Sequence, residues 1–171
     1  GMTNPQKKFI YLRGLPGTGK ITVAKILKEK LGYHLFWFHD LKNAVQDIVG
    51  EYRIPRLMDE ITAPVIRYLI EKQHDIIYVR PSPDAETVNK VRALAESAGY
   101  HFCLVTLTAA PETLAVRVIQ RKDPYRIGTK TELDAYIKER PEFTQLADDI
   151  WIDTNTKTPQ QTAEEIITLI G

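Results

Sequence analysis

Apolar, β-rich runs alternate with amphipathic stretches along the chain. Lys8–Arg13 (KFIYLR) predicts a strand. Lys20–Leu31 predicts a helix: Val23, Ile26, Leu27 and Leu31 share one face, and Gly32 follows as a stop. His34–Phe38 (HLFWF) predicts a second strand, Leu41–Val49 a short helix and Asp59–Lys72 a further helix with Pro64 near its start. Asp75–Val79 (DIIYV) is apolar at nearly every position, as a strand covered on both faces should be. Ser82 followed by Pro83 reads as an N-cap and first helical position, for a helix running to about Ala98 before Gly99. His101–Leu107 predicts a fourth strand, Pro111–Arg121 a helix, and Thr129–Glu132 a capping box for the helix after it. Asp149–Asp153 predicts a fifth strand, and Thr158, Pro159 and Gln161 start a last helix. Strands separated by helices imply an α/β fold: a parallel sheet of five strands between two helical layers.

One stretch carries chemistry. Gly14-Leu-Pro-Gly-Thr-Gly-Lys-Ile-Thr22 follows an apolar strand and opens a helix, the setting a phosphate-binding loop requires. Gly14, Gly17 and Gly19 let the backbone turn tightly, so that the N–H groups that follow Pro16, from Gly17 to Thr22, point inward at phosphate oxygens. The helix N-terminus adds partial positive charge, and Lys20 has the reach for β- and γ-phosphates. The plain alternative is a glycine-rich turn.

On these residues the chain resembles the P-loop kinases, in particular the small kinases around shikimate kinase and adenylate kinase. GLPGTGK is similar to the family's Walker A loop, LTAAPETLAVRVIQR to its passage from the fourth strand into an arginine-bearing lid, and IDTNTKTPQQTAEEI to its last strand, adenine-side loop and final helix. The resemblance implies a three-layer fold of one domain, ATP as phosphoryl donor and Mg²⁺ as cofactor. It implies Arg117 against adenine, Arg121 and Arg126 on the transferring phosphates, and Thr154 and Asn155 lining the adenine side. Arginine suits such work because it is planar, always charged and bidentate toward phosphate. Taken alone, these arginines would read as a solvated basic face, and Thr154 and Asn155 as turn residues. Lys122–Lys130 is the most loop-like internal stretch and is expected to be a mobile lid.

The departures are specific. Ile21 stands where the family has Ser or Thr to hold Mg²⁺, and an aliphatic side chain cannot ligate a hard cation. Thr22 reaches at most an α-phosphate, because one helical position turns it about 100° away. Phe38-His39-Asp40 stands where shikimate kinases carry Asp-x-Asp, and Val79-Arg80-Pro81 where related kinases carry an Asp or a glycine-rich substrate loop. Shikimate itself is therefore a poor expectation as acceptor. Asp40, just past a strand end, is a candidate to orient the acceptor or to cap a helix beginning at Leu41. Arg80 and Arg140 are candidate substrate contacts, Arg140 by an imperfect match to a carboxylate-binding arginine. Arg56 is expected at the surface. His34, His39, His74 and His101 lack metal-ligand spacing and read as structural or surface residues. Cys103, Trp37 and Trp151 read as core.

Composition narrows the remainder. The 171 residues fit one domain, and 43% hydrophobic with 26% charged residues is ordinary for a folded one. No apolar run is long enough to span a membrane. A net charge of +1 disfavours nucleic acid as partner, and a polynucleotide-end kinase with it. The absence of a signal-peptide pattern leads to a cytoplasmic expectation, and Gly1 before Met2 reads as a tag remnant. Two function classes stand: an ATP-dependent kinase acting on a small-molecule acceptor, and a nucleotide-binding sensor that has lost catalysis.

Overall fold

The computed structural model describes residues 5–50, 55–81, 84–121, 126–139 and 143–171, with backbone alone at 55–59. Five strands form one parallel sheet in the order β2-β3-β1-β4-β5. They are β1 (Lys8–Gly14), β2 (His34–Trp37), β3 (Ile76–Val79), β4 (His101–Thr108) and β5 (Ile150–Asp153). Described helices are α1 (Lys20–Leu31), α2 (Phe38–Val49), α3 (Pro55–Glu71), α4 (Ala85–Ser97), α5 (Pro111–Gln120), α6 (Lys130–Glu139) and α7 (Pro159–Ile170).

Alternation along the central strands builds both cores. Phe9, Tyr11, Tyr78, Phe102 and Leu104 face one way and bury Phe38 of α2, Ile66 and Ile70 of α3, and Val88, Val91 and Ala95 of α4. Ile10, Leu12, Ile77, Val79, Cys103 and Val105 face the other and bury Val23, Ala24 and Leu27 of α1 with Ala163, Ile166 and Ile170 of α7. A small third cluster joins Leu114 and Val118 of α5 to Leu133 of α6, with Leu15 against it. The connections after β1 and β4 leave toward opposite edges, so a crevice opens at the carboxyl ends of these two strands.

Several local expectations are corrected. The second strand stops at Trp37, and α2 begins at Phe38 rather than Leu41 because the Phe38 ring turns directly into the core. Asp40 therefore lies inside the first turn of α2 and is not its cap; the capping position is Trp37. The helix expected from Asp59 starts at Pro55 and carries Pro64 within it. Helix α4 is capped by Asp84, whose carboxylate accepts from the Thr87 N–H at 2.9 Å; Ser82 and Pro83 lie outside the described residues. Helix α5 ends one residue early, with Arg121 in extended conformation as its C-cap. At α6 the Glu132 N–H donates to Thr129 Oγ1, but the Glu132 carboxylate takes the Thr129 hydroxyl rather than its backbone N–H. The capping box of Thr158 and Gln161 on α7 is complete. Trp151, expected in the core, is 38% exposed: it lies on the edge strand, with Nε1 donating to Asp149 at 2.6 Å.

Candidate functional site

The loop between β1 and α1 lies at the floor of the crevice. Gly14 passes so close to β4 that a Cβ there would sit 2.6 Å from the Leu107 carbonyl oxygen. Gly17 has φ +89° and would bring a Cβ within 3.0 Å of the Leu114 carbonyl of α5, so both conformation and space demand glycine. Thr18 is buried, and both its N–H and its hydroxyl donate to the Leu15 carbonyl, at 3.3 and 2.9 Å. Its side chain shapes the turn and leaves phosphate contact to backbone groups. Pro16 is buried, and Thr22 is exposed.

Lys20 reaches back over the loop and donates from Nζ to the carbonyls of Gly14 (2.8 Å) and Leu15 (3.0 Å). Burial, reinforced by the positive charges of Arg121 and Arg126, pushes its pKa from 10.5 down to about 7. A cation so disfavoured is one that an anion would stabilise.

Arg117 ties the loop to the far side of the crevice. Its Nη1 donates to the Gly17 carbonyl (3.2 Å) and Thr154 Oγ1 (2.9 Å), and Nη2 to the Thr154 carbonyl (2.8 Å). Thr154 in turn donates to the Thr108 carbonyl, and Asn155 Oδ1 accepts from the Ala110 N–H at the start of α5. These three residues thus brace the carboxyl ends of β4 and β5. Arg121, turned out of α5, donates from Nε to the Ile127 carbonyl at 2.8 Å. Arg117 and Arg121 therefore do not share a helical face, because α5 ends between them. Arg126 lies over the Trp37 ring, 5.6 Å from its centroid.

On the opposite wall Asp40 is exposed, and Arg80 stacks over the Phe38 ring at 4.3 Å. Phe38, standing where a carboxylate was expected, belongs to the core. Arg140 and residues 122–125 of the expected lid lie outside the described residues, as does the side chain of Arg56. His39, read as structural or surface, is half-buried, with Lys42, Lys20, Arg126 and Arg121 as charged neighbours. Burial first, and those cations second, push its pKa from 6.5 down to about 3, so the ring is neutral. Its position at the strand-to-helix junction was a signal that the flanking aromatics masked.

A second group that the sequence did not reveal lies beneath the loop. Arg13 is fully buried beside Asp149, Nη2 to Oδ2 at 2.7 Å. Arg13 also donates to Thr106 Oγ1 (2.8 Å) and the Thr144 carbonyl (2.8 Å), and its guanidinium faces the Phe143 ring at 5.1 Å. A charged residue at the inward position after Phe9 and Tyr11 was the available signal.

Nothing lies within 4 Å of the point where a Gly19 Cβ would stand, and the Lys20 ammonium, bonded to two loop carbonyls, is a donor that an anion could take over. At the position expected to hold Mg²⁺ the side chain is aliphatic. Ile21 packs against the apolar layer of α1 and α7, and the described residues contain no cluster of three or more His, Cys, Asp or Glu placed to hold a metal. No described helix is long and apolar enough to cross a membrane.

Fold and loop together define a P-loop kinase-like domain of the nucleotide-binding phosphotransferase class. Residues 9–146 match the family model described as AAA domain, and the chain belongs to that family. A Pyrococcus furiosus protein provisionally named an adenylate kinase is 30% identical over 170 residues, covering 95% of this chain and 84% of its own. A shikimate kinase of Sulfurihydrogenibium is 28% identical over 171 residues, covering 95% and 98%. The crystal structure of a gluconokinase from Sinorhizobium meliloti superposes with a TM-score of 0.68 at 16% identity, covering 98% and 93%; at that identity it speaks for the fold. The family to which these proteins point generally uses ATP with Mg²⁺.

Proposed function

We propose that this protein transfers a phosphoryl group from ATP to a small-molecule acceptor within one P-loop domain. The observation that carries the reading is the loop itself. Gly14 and Gly17 are held by close packing, and Lys20 is half-buried over the carbonyls of Gly14 and Leu15. In this reading Gly17, Thr18, Gly19, Lys20, Ile21 and Thr22 present backbone N–H groups to the phosphates, and Pro16, which has none, fixes the turn ahead of them. Arg117, Thr154 and Asn155 bound the adenine side, Lys20, Arg121 and Arg126 carry charge on the transferring group, and Asp40 orients the acceptor. Arg80 and Arg140 contact that acceptor. Phosphoryl transfer rests mostly on positioning and electrostatics, which these residues supply.

The packing of Ile21 favours a second reading, a nucleotide-binding sensor without transfer activity. Calorimetric titration with ATP, with and without Mg²⁺, separates the two. The kinase reading expects binding that Lys20→Ala abolishes, Mg²⁺ tightening of about tenfold (roughly 1.4 kcal/mol), and a larger metal effect in Ile21→Ser. Equal affinity with and without metal, unchanged in Ile21→Ser, selects the sensor. No binding of ATP at all overturns both.

A further inference from the structure

Two buried polar atoms on α2 have no hydrogen-bond partner among the described residues: Nδ1 of His39 and Oδ1 of Asn43. Folded chains seldom bury such atoms unpaired, so each asks for an explanation. Four residues apart on one helix, the two side chains share a face, with Cβ atoms about 5–6 Å apart. The His39 ring lies 5.4 Å from the Trp37 ring, and the same Trp37 ring carries the Arg126 guanidinium at 5.6 Å. Lys20 is among the charged neighbours of His39, so His39 borders the side of the loop on which Lys20 lies, with Asn43 one helical turn further on.

We infer that His39 and Asn43 recognise the acceptor, and that the acceptor is a polyhydroxylated small molecule, uncharged or anionic. The inference rests on the phosphotransferase reading above and gives that acceptor a chemical class. An amide oxygen only accepts, so Asn43 Oδ1 requires a donor. A hydroxyl donates to it, and a second hydroxyl can either donate to or accept from His39 Nδ1, whichever ring tautomer is present. An ammonium group would also serve Oδ1, but it would enter among Lys42, Lys20, Arg126 and Arg121, all of its own sign. The same cations favour a carboxylate elsewhere on the acceptor.

The test has a stability arm and a binding arm. If Oδ1 of Asn43 is kept for a ligand and not for the fold, Asn43→Leu should raise Tm by about 2–4 °C, as loss of an unpaired buried polar atom does in a chain of this size. A fall in Tm would make Asn43 structural and overturn the inference. In the binding arm the protein is saturated with ADP, and the ring nitrogens of His39 are followed by ¹⁵N NMR during titration with gluconate, sorbitol or glucosamine. Gluconate and sorbitol should shift the His39 signals, glucosamine should bind at least about tenfold more weakly, and Asn43→Leu should cost gluconate about tenfold in affinity. Silence of His39 toward both hydroxylated probes, or equal binding of glucosamine, overturns the inference while ADP binding leaves the phosphotransferase reading standing. Failure of ADP to bind removes that reading first, and the inference with it.

Discussion

Lys20 is held in tension between two environments. In the unfolded chain it titrates near 10.5, in the folded protein at about 7. Between those values the unfolded chain binds the extra proton, so the contribution of Lys20 makes stability rise with pH across that window. A nucleotide phosphate works in the opposite sense and restores the charge. ADP binding at pH 8 should therefore take up a proton, and affinity should weaken as pH rises from about 7 to 9. Calorimetry in two buffers of different ionisation enthalpy measures the proton directly; identical heats would show that Lys20 is already charged. His39 behaves differently: its pKa is lowered to about 3. The unfolded chain binds its proton first, so stability from this residue is lost as pH falls below about 6.5.

At the scale of elements, helix ends place the functional groups. The abrupt turn from β2 into α2 puts Trp37, His39 and Asp40 at the crevice, and the early end of α5 releases Arg121 toward Ile127. Helix α4 shows how such an end is held. Asp84 accepts from both the N–H and the hydroxyl of Thr87, at 2.9 and 2.6 Å. Burial opposes its charge, but those bonds, with Arg80 nearby, outweigh it and keep the carboxyl below its usual pKa. Asp84→Ala should cost about 1 kcal/mol, lowering Tm by roughly 2–4 °C, and acid should erase the difference as Asp84 protonates. A Tm difference that persists below pH 3 would assign the loss to something other than the cap. The third strand is legible from its residues, because the four-residue run Ile76–Val79 is apolar throughout. The helix start at Phe38 was not legible, since Trp37 ahead of it gives no side-chain cap to announce it.

Across the whole molecule, the Arg13–Asp149 pair joins the end of β1 to the residues before β5. Asp149 accepts from Arg13, Thr106 and Trp151, so the buried charges are hydrogen-bonded as well as paired. Asp149→Asn leaves a buried guanidinium short of its counter-ion and should cost about 3–5 kcal/mol, read from urea unfolding. The double replacement Arg13→Met with Asp149→Leu should be close to neutral, because it removes both desolvation penalties together. If the double variant is as unstable as the single, the group contributes more than charge pairing. Gly14 follows Arg13 directly, so the single variant should also loosen the phosphate loop and weaken ADP binding. This link between core and loop spans residues 136 apart in sequence, and no local pattern encodes it.

The sequence by itself determined the sheet, the glycine-rich loop after its first strand and the lysine at the start of the helix that follows. Those features are local: apolar runs of strand length, helical spacing, and glycines at fixed offsets before a helix. Tertiary structure alone decided that Ile21 packs, partly buried, against the core layer that holds α1 and α7, that Arg117 bridges Gly17 to Thr154, and that His39 stands among cations. Each of these depends on which distant segment lies opposite a side chain, and with it the burial and charge that side chain meets. Residue spacing cannot supply that information, because desolvation and Coulomb interaction act through space and not along the chain.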